Sequence, residues 1–288
     1  MANPALQYLC INAKVKLLTT IFVHYYMKKI YTFIAFFICS LGLAIGQTLP
    51  YLPQPTYQAG ENLTYKLKYG FMSVATGTLK VEKSKLRFSN PNAFHLSAFG
   101  QTSGLFAVYK VRNKYDSYID GNTYLPYLYI EDIHEGSYTR EEYATFDHRN
   151  KKVSGKKGTF TSPTSQFFDL LSAYYFSRNL DLSSLKKGDS FKLTYFLNDE
   201  VAQLGIKYIG IEKIKTSLGE LECIKFSPEI TPGRIFRKDS QLFLWVTNDG
   251  NRIPVKAQVE ILVGTVTMEL VNAKGLKHTL GKRVSYSK

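Results

Sequence analysis

The chain has 288 residues, 44% hydrophobic and 14% aromatic, which is enough apolar side chain for a sizeable core and excludes a disordered tail. Its formal charge of +14 is spread along alternating segments instead of gathered in runs, so it marks no discrete basic tract. Tyr and Phe, with 21 and 19 copies, suit a pleated, half-buried surface better than a helix, and the composition leans to strands.

At the amino terminus, Met27 is followed by Lys28 and Lys29, by an almost wholly apolar run from Ile30 to Leu43, and by Ala44-Ile45-Gly46. Small residues at the two positions a signal peptidase inspects predict export and cleavage before Gln47. The apolar run is short for a bilayer-spanning helix of about 20 residues, so no transmembrane segment is expected in the mature form; a retained amino-terminal anchor is the alternative. Residues 1–26 precede a complete signal with its own Met and read as an upstream extension. Cys39 follows Ile38 where lipoprotein processing wants a small residue, which disfavours lipidation. With Cys10 and Cys39 removed, only Cys223 remains, and no internal disulfide can form. Loss of Lys14, Lys16, Lys28 and Lys29 lowers the charge from +14 to +10, and outside the cytoplasm nucleic acid is not an expected partner.

Residues 47–59 read as a linker and 60–288 as one β domain. From Gly60 onward apolar residues alternate with period two: Leu63, Tyr65, Leu67 and Tyr69 share one face, Thr64, Lys66 and Lys68 the other. Similar runs recur at 78–82, 94–98, 108–118, 124–133 and 142–146, separated by Asn90-Pro91, Asp120-Gly121 and Gly136, the pattern of an antiparallel meander. Lys151, Lys152, Lys156 and Lys157 surround Gly155 and Gly158 and read as a solvated turn; contact with an anionic envelope polymer or lipid headgroup is the sharper alternative.

Punctuation then repeats at a nearly constant distance. Gly60-Glu61 answers to Gly188-Asp189, Gly77 to Gly205, Asp120-Gly121-Asn122 with Pro126 to Asp249-Gly250-Asn251 with Pro254, and Gly136 to Gly264. Such residues mark tight turns and positive φ, so matched positions imply matched hairpins and a tandem duplication of a unit of about six strands. Between the units, Ser162 as cap, Pro163 at the first position and the apolar stretch 167–176 predict a buried helix over about 163–178. It is expected against the concave face of the sheet, in space a ligand would otherwise use.

Candidate chemistry is sparse. His95, His134, His148 and His278 accompany no nucleophile motif. Cys223 sits in an apolar strand, where an inert thiol is the plain expectation. Asp132 and His134 share a strand face, with Glu131 and Glu135 opposite, but a hairpin end rich in acids is ordinarily solvated, and no metal is expected there. No Gly-rich phosphate loop opens a helix, so no cofactor is expected. Asp169 and Ser172 lie on one helix face and need buried partners, with Tyr175 beside them and Arg178 near the carbonyl pole. Trp245, followed by Asp249 and Arg252, marks a strand entering a turn, an anchor of the core or a sugar-stacking platform.

At these residues the chain resembles the family called domain of unknown function 3108, exported bacterial proteins. The resemblance runs from about Gly60 to Asn272. It rests on Gly60-Glu61-Asn62-Leu63-Thr64-Tyr65, on the stretch from Asp169 to Arg178, on Gly219-Glu220-Leu221-Glu222-Cys223, and on Leu244-Trp245 with Asp249 and Arg252-Ile253-Pro254-Val255. It implies a periplasmic or surface location and brings no catalytic residues.

The expected architecture is all-β: a long curled antiparallel sheet or open barrel from two related halves, about 60–160 and 188–275, joined by a helical connection at 161–187. The expected function is non-enzymatic binding of a hydrophobic or amphiphilic ligand, or a carbohydrate, in an aromatic-rich concavity, with Asp169, Ser172, Tyr175, Arg178, Trp245, Asp249 and Arg252 as candidate binding residues. Two alternatives stand beside it. A hydrolase of envelope polymers would use Asp169, His134 or Asp249 as acids and bases, and a structural partner of an envelope complex would show an exposed apolar patch.

Overall fold

Residues 49–104, 107, 109–229, 240–261 and 264–282 are described by a computed structural model. The predicted export signal and its cleavage point lie outside the described residues. Where the sequence alternates with period two, strands form: β1 (Asn62–Tyr69), β2 (Met72–Lys83), β3 (Phe94–Thr102), β4 (Val111–Ile119), β5 (Pro126–Glu135) and β6 (Tyr138–Asp147). A small hairpin, β7 (Lys152–Gly155) and β8 (Gly158–Thr161), leads to β9 (Phe167–Phe168) and the helix α1 (Leu170–Arg178). The second half supplies β10 (Ser190–Leu197), β11 (Glu200–Thr216), β12 (Gly219–Pro228), β13 (Leu242–Thr247), β14 (Pro254–Glu260) and β15 (Thr265–Lys274).

All fifteen strands form one sheet in the order β8-β7-β6-β5-β4-β3-β2-β1-β15-β14-β13-β12-β11-β10-β9. Among the described residues only β9 and β10 pair in parallel. Strand twist accumulates over so many strands, and the sheet curls. The architecture is the all-β, curled form expected from the sequence, with one helix among the described residues.

The two halves correspond in geometry as well as in sequence. Gly60 and Gly188 both have φ of 100°. Their N–H groups donate to Val81 O and Tyr208 O, and the N–H groups of Val81 and Tyr208 donate back to Glu61 O and Asp189 O. Hairpins of two residues join β1 to β2 through Gly70-Phe71 and β10 to β11 through Asn198-Asp199. In both Asp turns the carboxylate accepts two backbone N–H groups, from Asn122 and Thr123 to Asp120 and from Asn251 and Arg252 to Asp249.

The correspondence extends upstream of Gly60. The Tyr124 hydroxyl donates to Leu52 O and the Arg252 guanidinium to Leu180 O, and both donors and both acceptors lie 128 residues apart. Tyr51 and Leu180 form an isolated antiparallel bridge beside these contacts. Residues 49–58 are therefore a bound strap and not a free linker: Thr56 donates twice to Asn179 Oδ1, at 2.8 and 3.0 Å, and Tyr57 is fully buried.

The helix begins seven residues after Pro163. Ser162 is occupied locally, its hydroxyl donating to Thr164 O, and Phe167-Phe168 pairs with Thr194-Tyr195 as strand. Asp169 is the true cap: one carboxylate oxygen accepts Leu171 N and Ser172 N, while Ser172 Oγ accepts Asp169 N. That reciprocal arrangement stabilises a helix start by about 1 kcal/mol. α1 lies against β3, β4, β9 and β10, and Tyr57, Phe168, Tyr175 and Phe176 form the centre of the largest cluster.

Antiparallel order sorts the connections into two ends. The β1–β2, β5–β6, β7–β8 and β10–β11 turns, the carboxy-terminal ends of β3, β12 and β14 and the amino-terminal ends of β4, β13 and β15 share one end, called the open end below. The β4–β5, β11–β12 and β13–β14 turns, the strap and residues 275–282 share the other, the plugged end.

Candidate functional site

The plugged end is organised by Arg178 in the last turn of α1. Its Nη1 and Nη2 donate to both oxygens of Glu61 at 2.5 and 2.8 Å, and Nε and Nη2 donate to Asn251 O at 3.1 and 2.9 Å. Tyr57 and Tyr175 stack on the guanidinium at 5.3 and 5.2 Å. Side-chain exposure is 1% for Arg178 and 0% for Glu61, so water does not screen the pair. Despite desolvation, the Glu61 charge and its hydrogen bonds hold Arg178 well above the usual guanidinium value. The arrangement ties α1 to the start of β1 and to the β13–β14 turn.

That turn is itself fixed. Asp249 Oδ1 accepts Thr247 Oγ1, Asn251 N and Arg252 N, and Oδ2 accepts Gly281 N. Arg252 takes φ of 50°, which turns its side chain back over α1 towards Arg178 O and Leu180 O. Asn251 exchanges two hydrogen bonds with His278 of the carboxy-terminal segment. Arg178, Asp249 and Arg252 are thus brought together, with Glu61, marked in the sequence by the repeat but not among the candidate binding residues, as the counter-charge.

Asp169 and Ser172 lie at the opposite end of α1. Asp169 is completely buried, its second oxygen accepting Ser117 Oγ at 2.7 Å and Ser172 Oγ at 2.8 Å. Burial raises its pKa despite these bonds. Tyr175 is fully buried, and its hydroxyl finds no hydrogen-bond partner among the described residues.

Trp245 stands apart from the other six. It points to the face opposite Leu244 and Val246, under Lys225 at 4.8 Å and Lys256 at 5.1 Å, with Nε1 donating to Glu212. Cys223 is buried and its thiol is pushed up to about 12, by desolvation first and the Asp249 charge second. His134 pairs with Asp132 at 2.8 Å on the surface, whereas Glu131 is buried against Arg140. No hydrogen bond or ion pair joins any two of Asp169, His134 and Asp249 among the described residues.

A different surface emerges on the concave side. The inward positions of β2, β1, β15, β14 and β13 register across the strands as one row, Ala75–Leu67–Met268–Ala257–Leu244, and a second, Val266–Val259–Leu242. Every one is apolar and every one is only half buried. Nearer the plugged end the same face is sealed, with Leu63, Val81 and Leu270 at 0% exposure. The helix makes its most extensive contacts with β3, β4, β9 and β10, Leu244 and Met268 pack at the margins of the buried clusters, and the half-buried rows form a shallow apolar trough. In sequence its residues look like core, because alternation shows which face they share but not how far the helix reaches. A smaller cleft of about 20 Å³ lies where β5 and β6 meet β10 and the β10–β11 turn, between Arg140 and Asn198, with room for about one water.

A curled antiparallel sheet, half filled by its own helix and half open, defines a β-barrel-like protein. The chain belongs to the family of proteins of unknown function DUF3108, whose model matches residues 64–271. In structure it is similar to a β-barrel-like DUF1849 protein from Brucella abortus, with TM-score 0.51 and 9% identity over 80% of this chain and 100% of that one. A protein from Bacteroides fragilis described as exported, with a YmcC-like fold, matches at TM-score 0.37 and 12% identity over 79% of this chain and 100% of that one. A DUF1089 family protein from Pseudomonas aeruginosa matches at 0.38 and 10% over 65% and 90%. No curated protein matches the chain. No helix among the described residues is long and apolar enough to cross a membrane.

Proposed function

We propose that this is an exported, non-enzymatic envelope protein that holds the hydrocarbon part of an amphiphile in the trough. One observation carries the proposal: two cross-strand rows that are wholly apolar and inward-facing yet only half buried. A sheet presents such a face when something else covers it. Five strands at about 4.8 Å spacing give it a width of roughly 19 Å. The rows favour hydrocarbon over carbohydrate, because a sugar there would leave its hydroxyls without partners. Export rests on the signal from Met27, and the working form on cleavage before Gln47 and a single β domain thereafter. The seven candidate residues of the sequence argument serve the plug and the sheet in this scheme, each engaged within the protein. The hydrolase alternative draws no support from Asp169, His134 and Asp249, whose partners are separate.

The test is displacement of a fluorescent fatty acid by saturated acids from decanoic to hexadecanoic, using protein isolated from the envelope. Each added methylene buries about 0.8 kcal/mol of apolar surface, so affinity should rise roughly fourfold per carbon. Ala257→Asp should weaken binding at least about tenfold by setting a charge in the trough, whereas Thr267→Asp, on the other face of the same sheet, should not. Absence of displacement at every chain length overturns the proposal.

A further inference from the structure

The open end carries three large aromatic side chains that are more than half exposed, although Tyr109 also lies against Gly136 and donates to Glu135 O. Phe71, at the tip of the β1–β2 hairpin, is 93% exposed, and Tyr109 and Tyr138, beside the β3–β4 and β5–β6 connections, are 60% and 53% exposed. The internal repeat supplies a control for Phe71. Asn198-Asp199 closes the corresponding β10–β11 hairpin 128 residues later, with φ of 52° and 61°. A polar pair thus satisfies the same two-residue connection, and Asn and Asp are the side chains that tolerate such turns best. Gly70, with φ of 58°, supplies the left-handed position in the first hairpin. Nothing in the turn geometry asks for a phenyl ring beside it.

Position gives these rings a shared meaning. All three stand at the end of the sheet nearer the half-buried rows, while the other end is closed by Arg178, Glu61 and the carboxy-terminal segment. Exposed Lys110 and Arg112 adjoin Tyr109, and the chain from Gln47 onward is cationic, at +10. Aromatic rings at loop tips bury into the boundary between headgroups and acyl chains, and basic groups beside them favour anionic headgroups.

Building on the trough reading, we propose that the open end of the sheet rests on the surface of an anionic lipid bilayer, with Phe71 inserted and Tyr109 and Tyr138 at headgroup level. An amphiphile could then pass between bilayer and trough without crossing water. The reporter is Phe71→Trp, because the single native tryptophan, Trp245, is 6% exposed and cannot reach lipid. With vesicles of phosphatidylcholine and phosphatidylglycerol, fluorescence of the introduced indole should shift to the blue and be quenched by brominated lipid, more strongly at low salt. A Phe71→Asp, Tyr138→Asp double variant should lose vesicle binding at least tenfold while retaining its fatty-acid affinity in solution. Unquenched emission at position 71, or undiminished binding by the double variant, overturns the docking proposal even if the trough binds fatty acids. Quenching without any fatty-acid binding overturns the trough and leaves the docking surface standing.

Discussion

The halves of the sheet meet twice, and the two junctions are built differently. β1 and β15 join by an antiparallel ladder of eight residue pairs, with Lys68 and Glu269 in contact at 2.5 Å across it. Equivalence of the halves makes β6 and β10 the second pair of neighbours, yet β7, β8 and β9 intervene and the sheet has its two edges there. Side chains close that seam: Phe160 packs on Phe196 at 5.4 Å, Lys157 reaches Asp199 at 2.8 Å, and Arg140 links Glu131 to Asn198. The helix fills the interior beside the seam, and the trough spans the hydrogen-bonded junction. Inserting the hairpin and helix at only one junction therefore makes two unlike interiors from two similar units, one occupied and one available.

Breaking the plug should have the largest effect, because Arg178 connects α1 to β1 and to the β13–β14 turn near the ladder. Arg178→Ala strands the buried Glu61 carboxylate, and loss of such a partner costs about 3–5 kcal/mol. Urea unfolding should show it as a lowered midpoint at an unchanged slope. Pairing Arg178→Met with Glu61→Leu should recover much of the loss by removing both charges; no recovery would mean that the plug acts through shape alone. At the seam, Arg140→Ala leaves Glu131, 3% exposed, without its cation but with Tyr129 still donating. The expected cost is about 1–3 kcal/mol. Amide exchange should rise in β7 and β8 and stay unchanged in β1 and β15. Uniform acceleration across the sheet would show that the two junctions do not open separately.

Much of this construction is legible in the chain. Period-two alternation gives the strands, and Gly60, Gly188 and the two Asp-Gly-Asn turns give the repeat, because those positions report backbone requirements that few residues meet. The strap escapes a local reading because its contacts, Thr56 to Asn179 and Tyr124 to Leu52, join residues 123 and 72 positions apart, and no local pattern records such pairing. The helix start is ambiguous in sequence because Ser162, Thr164 and Asp169 all resemble caps locally; only Asp169 has the reciprocal Ser172 and the buried Ser117. Of the candidate site, Arg178, Asp249 and Arg252 are legible as polar residues in apolar surroundings. Glu61 is not, since a lone acid before a strand looks solvated until its partner arrives from 117 residues away.

The smallest and most selective effect concerns pH. His148 follows β6 and lies between Phe146 and Phe167, with Nδ1 3.0 Å from Ser165 O and Nε2 2.8 Å from Pro126 O. Ser165 belongs to the connector that carries the chain from one sheet edge to the other. Burial lowers the imidazole pKa below its ordinary 6.5, and the two carbonyls offset this only in part. The unfolded chain therefore takes up the proton more readily than the folded one. Stability is complete above 6.5 and is lost as the pH falls through the lower folded value. His278, at the plugged end, is lowered by burial and by Lys277 and shifts stability in the same direction; Asp169, raised by burial, acts oppositely at lower pH. Comparing unfolding at pH 7.5 and 5.5 in wild type, His148→Gln and His278→Gln separates the contributions. His148→Gln should remove the acid sensitivity of exchange in β7 and β8, and His278→Gln should leave it; if both variants behave alike, the seam has no proton sensitivity of its own.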